Sequence, residues 1–139
     1  MNVFFDNCTS PILATALDGF IKNYGHRALH IRSVSDLKLG RSTPDIEWLK
    51  YLSESKEFWI FVTGDKRIRK NKAEREALRS VKLHGFILAP SFQKTPMNQV
   101  VSNLIWKWPE IEKLVEITAP PAIFDIPTQR GAKLKPLPL

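Results

Sequence analysis

The chain has 139 residues, 43% of them hydrophobic, and 21 basic residues against 14 acidic ones leave a net charge of +7. That length fits one domain with a single substantial core, and that hydrophobic content excludes a disordered chain. The single cysteine, Cys8, excludes an internal disulfide, no apolar run approaches a membrane span, and the N-terminus lacks the order of a secretion signal. The expected setting is therefore the reducing cytoplasm, without membrane contact. The positive balance either serves solubility or points to a polyanionic partner, nucleic acid before membrane surface.

Val3-Phe4-Phe5 is a short apolar run that ends on Asp6, which predicts a first strand with an acid at its tip. Ser10-Pro11 reads as an N-cap followed by Pro at the first helical position. Ile12, Leu13, Ala16, Leu17, Phe20 and Ile21 then recur at helical spacing over residues 11–23, and Gly25 is the stop. Residues 26–31 predict a second strand, and the polar stretch 32–42, which contains Gly40, a loop. Ser42 or Thr43 is the expected cap of a second helix that Pro44 opens and Ile46, Trp48, Leu49 and Leu52 bury.

Residues 58–62 are continuously apolar, as in a strand buried on both faces, and Gly64-Asp65 follows its tip. A basic run, Lys66, Arg67, Arg69, Lys70 and Lys72, leads into a third helix over about 72–82. Residues 84–89 predict another strand. Thr95-Pro96 starts the longest helix, which Pro109 is expected to interrupt. Residues 122–126, between Pro121 and Pro127, predict a last, edge strand. The alternation implies an α/β fold with a mostly parallel central sheet of four to five strands. One domain is expected over residues 1–127, and residues 128–139 form a Pro-rich basic tail, loosely held or docked on a partner.

Three acids stand out. Asp6 and Asp65 end two strands, and if those strands are parallel neighbours both leave the same edge of the sheet, where open α/β sheets bind ligands. Asp45 opens the helix that returns to the central strand from near that edge. Converging carboxylates repel unless protonated or bridged by a cation, and an all-oxygen donor set selects Mg²⁺ or Mn²⁺. Such a metal activates water against a phosphodiester, and the basic run after Asp65 would hold the phosphates: Lys66, Arg67 and Arg69 are the candidate nucleic-acid contacts. Relief of repulsion also predicts that Asp65→Asn keeps or raises the thermal melt.

F-D-N at the N-terminus, T-P-D-I-E at the second helix and V-T-G-D-K-R-I at the central strand resemble PIN-like ribonuclease domains, and within them the compact branch of VapC-type toxins. The resemblance covers about residues 3–90. It implies a three-layer α/β/α sandwich, metal-dependent cleavage of RNA, a bacterial or archaeal source and a cognate antitoxin, and it is compatible with a homo-oligomer. By motif position Asp6, Asp45 and Asp65 are the metal-binding acids, and Thr63 falls where the family often places a Ser or Thr. Asn7 stands where close relatives often carry a second acid. Glu47 and Glu74 are candidates for a fourth carboxylate, with Glu74 favoured because Glu47 points away from Asp45 on a helix.

Plainer roles exist for each residue. Ser42-x-x-Asp45 is a capping-box pattern, Asp65 can start a turn, Glu74 and Glu76 can pair with Arg79, and a basic run is often a solvated face. Cys8 reads as a small buried filler, and His26, His30 and His84 show no ligand spacing. Trp48 and Trp59 read as core, whereas Trp106 and Trp108 cannot both face inward, so one lines a partner surface. Two other functions fit the acids: a receiver-like phosphoryl-accepting domain, which would want an acid at Asn7, and a non-catalytic nucleic-acid-binding module.

Overall fold

The structure, a computed structural model, describes residues 1–35, 37 and 42–139. Part of the predicted loop at 32–42, Gly40 included, lies outside the described residues. Six strands form one sheet in the order β2-β1-β3-β4-β5-β6: β1 Asn2–Phe5, β2 Arg27–His30, β3 Trp59–Thr63, β4 His84–Leu88, β5 Ala122–Ile126 and β6 Lys135–Leu137. The first five are parallel, and β6 pairs antiparallel with β5. The helices are α1 Pro11–Ile21, α2 Asp45–Glu54, α3 Lys72–Ser80 and α4 Met97–Ile117.

Strand alternation splits the core in two. Val3, Phe5, Ile60, Val62, Phe86 and Phe124 pack with α1 and α4, while Phe4, Trp59, Phe61, Ile87 and Ile123 pack with α2 and α3. This is the three-layer α/β/α arrangement, with both faces of the sheet covered as parallel strands require. Gly85 makes room for it: a Cβ there would come 2.2 Å from Cζ of Phe61, whose ring crosses β4. The apolar run of the central strand begins one residue later than expected, because Phe58 lies before β3 and is 56% exposed.

Three other expectations change. Ser10 caps α1 as read, but Pro44, not Ser42 or Thr43, is the N-cap of α2. Thr43 is instead buried, and its hydroxyl finds no partner among the described residues. Pro109 does not interrupt α4, which runs unbroken for 21 residues. The Pro ring lies on the exposed side, while Val100, Leu104, Trp108 and Ile111 hold the opposite face in the core and carry the helix past the missing hydrogen bond.

The third change concerns the tail. β5 is not the edge, because β6 lies outside it, and Pro136 on that outer strand leaves one amide fewer for further pairing. The link from β5 to β6 is clasped by Lys107, only 3% exposed, whose ammonium donates to the carbonyls of Gln129, Arg130 and Ala132 at 2.8, 3.1 and 2.8 Å. Glu110, one turn on, accepts from the Leu134 amide at 3.0 Å. Arg69 and Arg79 donate to the carbonyls of Pro138 and Leu139. Deleting residues 129–139 should therefore cost about 3 kcal/mol or more in urea unfolding, since it strands a buried ammonium and opens β5. An unchanged unfolding midpoint would show that the tail is not part of the folded unit.

Candidate active site at the C-terminal edge of the sheet

The strand order places the site. From β1 the chain turns through α1 to β2 on one side, and from β3 it turns through α3 to β4 on the other. The two connections part above the C-terminal ends of β1 and β3, which is where open α/β sheets leave a crevice. Asp6 follows β1 there, and Asp65 follows β3 by two residues.

Strand alternation and two helix starts bring the four acids to one side of the edge. Asp6 continues the side of Phe4, and Thr63 and Asp65 continue the side of Phe61, the side that packs on α2 and α3. Asp45 is the first residue of α2, and Glu74 lies in the first turn of α3. Thr63, fully buried, ties two of them together. Its hydroxyl donates to Oδ2 of Asp6 and accepts the amide of Asp65 at 3.0 Å. The amide of Cys8 reaches Oδ1 of Asp6 at 3.2 Å. Asp45 is not the partner in a capping box. Its Oδ1 accepts from Nε1 of Trp48 at 2.9 Å, which fixes the carboxylate over a core indole.

The electrostatics follow from this crowding. Burial pushes Asp6 up to about 7, against the hydrogen bond from Thr63 and with added repulsion from Asp45. Burial, then the neighbouring Asp65, raises Asp45, and burial, then Asp45 and Asp65, raises Glu74. Asp65 goes the other way. Partial burial would lift it, but Arg67 outweighs that, donating from its backbone N and Nε to Oδ1 at 2.9 and 3.0 Å and from Nη2 to Oδ2 at 3.2 Å. One guanidinium thus stands among the acids.

The remaining candidates fall into place around them. Glu47 is exposed two residues along α2, and Asn7 is exposed beside Cys8. Cys8 is exposed rather than buried, yet burial of its sulfur and repulsion from Asp6, Asp65 and Asp45 push the thiol up to about 11, too high for a thiolate nucleophile near neutrality. Lys66 is exposed, while Arg69 is engaged by the tail. His26, His30 and His84 bond to Glu112 and to the carbonyls of Thr9 and Thr118, away from any ligand role. Trp48 and Trp59 are core. Trp106 is 63% exposed, with the Arg130 guanidinium 5.2 Å from its ring.

Two features were not read beforehand. Gly64 passes so close to Cys8 that a Cβ would lie 2.7 Å from the Cys8 carbonyl, which locks the loops after β1 and β3 against each other. A groove of about 390 Å³ runs beside Asp65 between Lys66, Arg67, Pro90 and Gln93. The Gly was visible in V-T-G-D, but its neighbour across the sheet was not.

The all-oxygen donor set fits a hard divalent cation. Among the described residues, however, no three acidic, thiol or imidazole groups stand arranged as a metal cage. The acids share a field, and three of them are held by protein donors: Asp6 by Thr63, Asp45 by Trp48 and Asp65 by Arg67.

Asp65→Asn would remove the partner of Arg67 as well as a repelling charge, so the melt gain first expected there belongs to Asp6. The folded pKa of Asp6 lies near 7 and the unfolded value near 3.8, so the folded state holds the extra proton between these values. Stability is highest below the unfolded pKa and falls by about 4 kcal/mol as pH rises through 7. Urea unfolding in EDTA should show that decline, and Asp6→Asn should flatten it. An equal slope in the variant would mean that Asp6 is not the titrating group.

The model of the PIN-like domain family matches residues 1–90, the stretch that carries all four acids. No curated protein and no solved structure is matched by the chain. The family match covers well over half of the 139 residues and agrees with the parallel α/β architecture. The chain belongs to the PIN-like domain family and has a nuclease-type fold.

Proposed function

We propose that this protein is an Mg²⁺- or Mn²⁺-dependent endoribonuclease that hydrolyses RNA phosphodiesters at the β1/β3 edge. The observation that carries the proposal is the crowding of acids from four different places in the chain: Asp45 repels Asp6, Asp65 repels Asp45, and both Asp45 and Asp65 repel Glu74, on top of burial. Burial and repulsion of carboxylates together are retained where a cation offsets them. Asp6, Asp45 and Asp65 would hold the ion, with Glu74 as the further carboxylate. When bound, the cation supplies positive charge that polarises a phosphoryl oxygen and makes water a stronger acid.

The chain's own residues do the rest. Thr63 keeps the Asp6 carboxylate and the Asp65 backbone in fixed relation, so the donors are positioned before substrate arrives. Arg67 balances Asp65 in the free protein, and its exposed guanidinium is free to turn to a phosphate, which it grips in two places where Lys66 offers a point charge. Arg69, tied to the tail, contributes field rather than contact.

The F-D-N, T-P-D-I-E and V-T-G-D-K-R-I motifs and the compact size support a finer reading. In it the enzyme is a VapC-type toxin acting on cytoplasmic RNA, blocked by a cognate antitoxin and able to self-associate. No helix is long and apolar enough to cross a membrane among the described residues.

Incubation with total RNA tests the chemistry. The wild type should cut with Mg²⁺ or Mn²⁺ and stop with EDTA, and Asp65→Asn and Asp6→Ala should each lose about 100-fold or more in rate. Cleavage by Asp65→Asn at the parent rate would overturn the assignment. RNA affinity that falls with salt but ignores both EDTA and the substitutions would instead mark a non-catalytic binding module.

A further inference from the structure

The acids occupy the α2/α3 side of the edge. On the α1/α4 side a second cavity, of about 200 Å³, opens between the loop after β1, the end of β4 and the start of α4. Its walls are apolar, formed by Leu13, Leu88, Phe92 and Val100, all nearly fully buried. Its rim is polar. Cys8, Gly64 and Gln93 line both this cavity and the groove beside Asp65, so the two spaces adjoin across the Cys8–Gly64 contact. Gln93 is exposed, and its amide makes no hydrogen bond within the described residues, whereas the Ser10 and Thr95 hydroxyls are engaged by the Ile12 amide and the Ser91 carbonyl. Met97, 37% exposed, stands at the mouth where α4 begins without a side-chain cap.

Pockets for whole drug-sized ligands run to ~300–1,000 Å³, so this one suits a single flat ring system. It has apolar walls for the faces of such a ring, and one free amide that can both donate and accept at its edge. The groove next to it carries Lys66 and Arg67, the partners of a phosphate. We propose that the cavity is a subsite for one unpaired nucleobase of the RNA strand, next to the phosphodiester held at the acids, with Gln93 reading the base edge. This rests on the nuclease reading and adds to it that base preference is set on the α1/α4 side. Single strands are read in this way, by splayed bases in apolar pockets beside a basic track.

The test uses the full chain as wild type, Gln93→Ala and Met97→Trp, the last filling the mouth of the cavity. Each is titrated with the four nucleoside 5′-monophosphates and followed by NMR, and cut sites are mapped on an RNA that presents every dinucleotide step. The Met97 methyl and Gln93 amide signals of the wild type should shift, most with the preferred base. Both variants should bind that nucleotide about tenfold more weakly and lose the base preference at the cut. If RNA is cut by all three with one unchanged preference and Met97 does not shift, the base subsite is wrong and the nuclease reading stands. If the wild type neither binds nor cuts RNA, the nuclease reading falls and the subsite falls with it.

Discussion

Burial of carboxylates beside one another at the lip between β1 and β3 is the constraint on which the rest of this structure turns. A protein that only needed to fold would not bury Asp6 beside a second acid and leave its pKa near 7. The cost is contained by donors from the chain: a threonine hydroxyl, a backbone amide, an indole N–H and one guanidinium. Asp6, Asp45 and Asp65 each have a partner that holds their geometry, and among the described residues only that of Asp65 carries positive charge. The site is thus ordered and short of cations, a state that favours uptake of a metal ion or the approach of basic groups.

The architecture makes that lip and then uses both sides of it. Parallel pairing of β1 and β3 puts Phe5 beside Val62, so that both strands end level and deliver their acids at one edge. The alternation that sends Phe4 and Phe61 toward α2 and α3 sends Asp6, Thr63 and Asp65 the same way. The opposite face, packed on α1 and α4, is left with a small uncharged recess, apolar within and polar at its rim. Gly64 is the pinch between them. Its missing Cβ lets the two loops touch, so the acidic side and the apolar side are separated by a few ångströms of backbone.

Much of this was legible because apolar runs that stop on an acid carry two signals at once, a buried strand and a polar tip. Val3-Phe4-Phe5-Asp6 and the run into Gly64-Asp65 were read that way, and so was the strand–helix alternation. What was not legible depended on contacts across the chain. Ser42-Thr43-Pro44 looks like a cap, but Thr43 is drawn under the surface and Pro44 takes the cap position without a side-chain bond. Lys107 looks like any lysine of an amphipathic helix until the 129–132 carbonyls close on it. A three-residue strand with Pro136 at its centre has no periodicity to read, so the sequence alone leaves the tail loosely held or docked on a partner. Arg67 lies two residues from Asp65, a spacing that predicts no pairing on a regular helix. Asp65 instead stands just outside the 3-10 turn over Lys66–Arg69 as its N-cap, and by accepting the Arg67 amide it draws the guanidinium onto its carboxylate.

The central claim is that side chains at positions 6, 45, 65 and 74 share one hard cation. Paramagnetic broadening by Mn²⁺ in the amide NMR spectrum of the free protein addresses it without any substrate. Substoichiometric Mn²⁺ is predicted to erase the signals around Asp6, Asp45, Asp65 and Glu74 first and together, and excess Mg²⁺ to restore them. Broadening centred elsewhere, or none at millimolar Mn²⁺, would contradict the account.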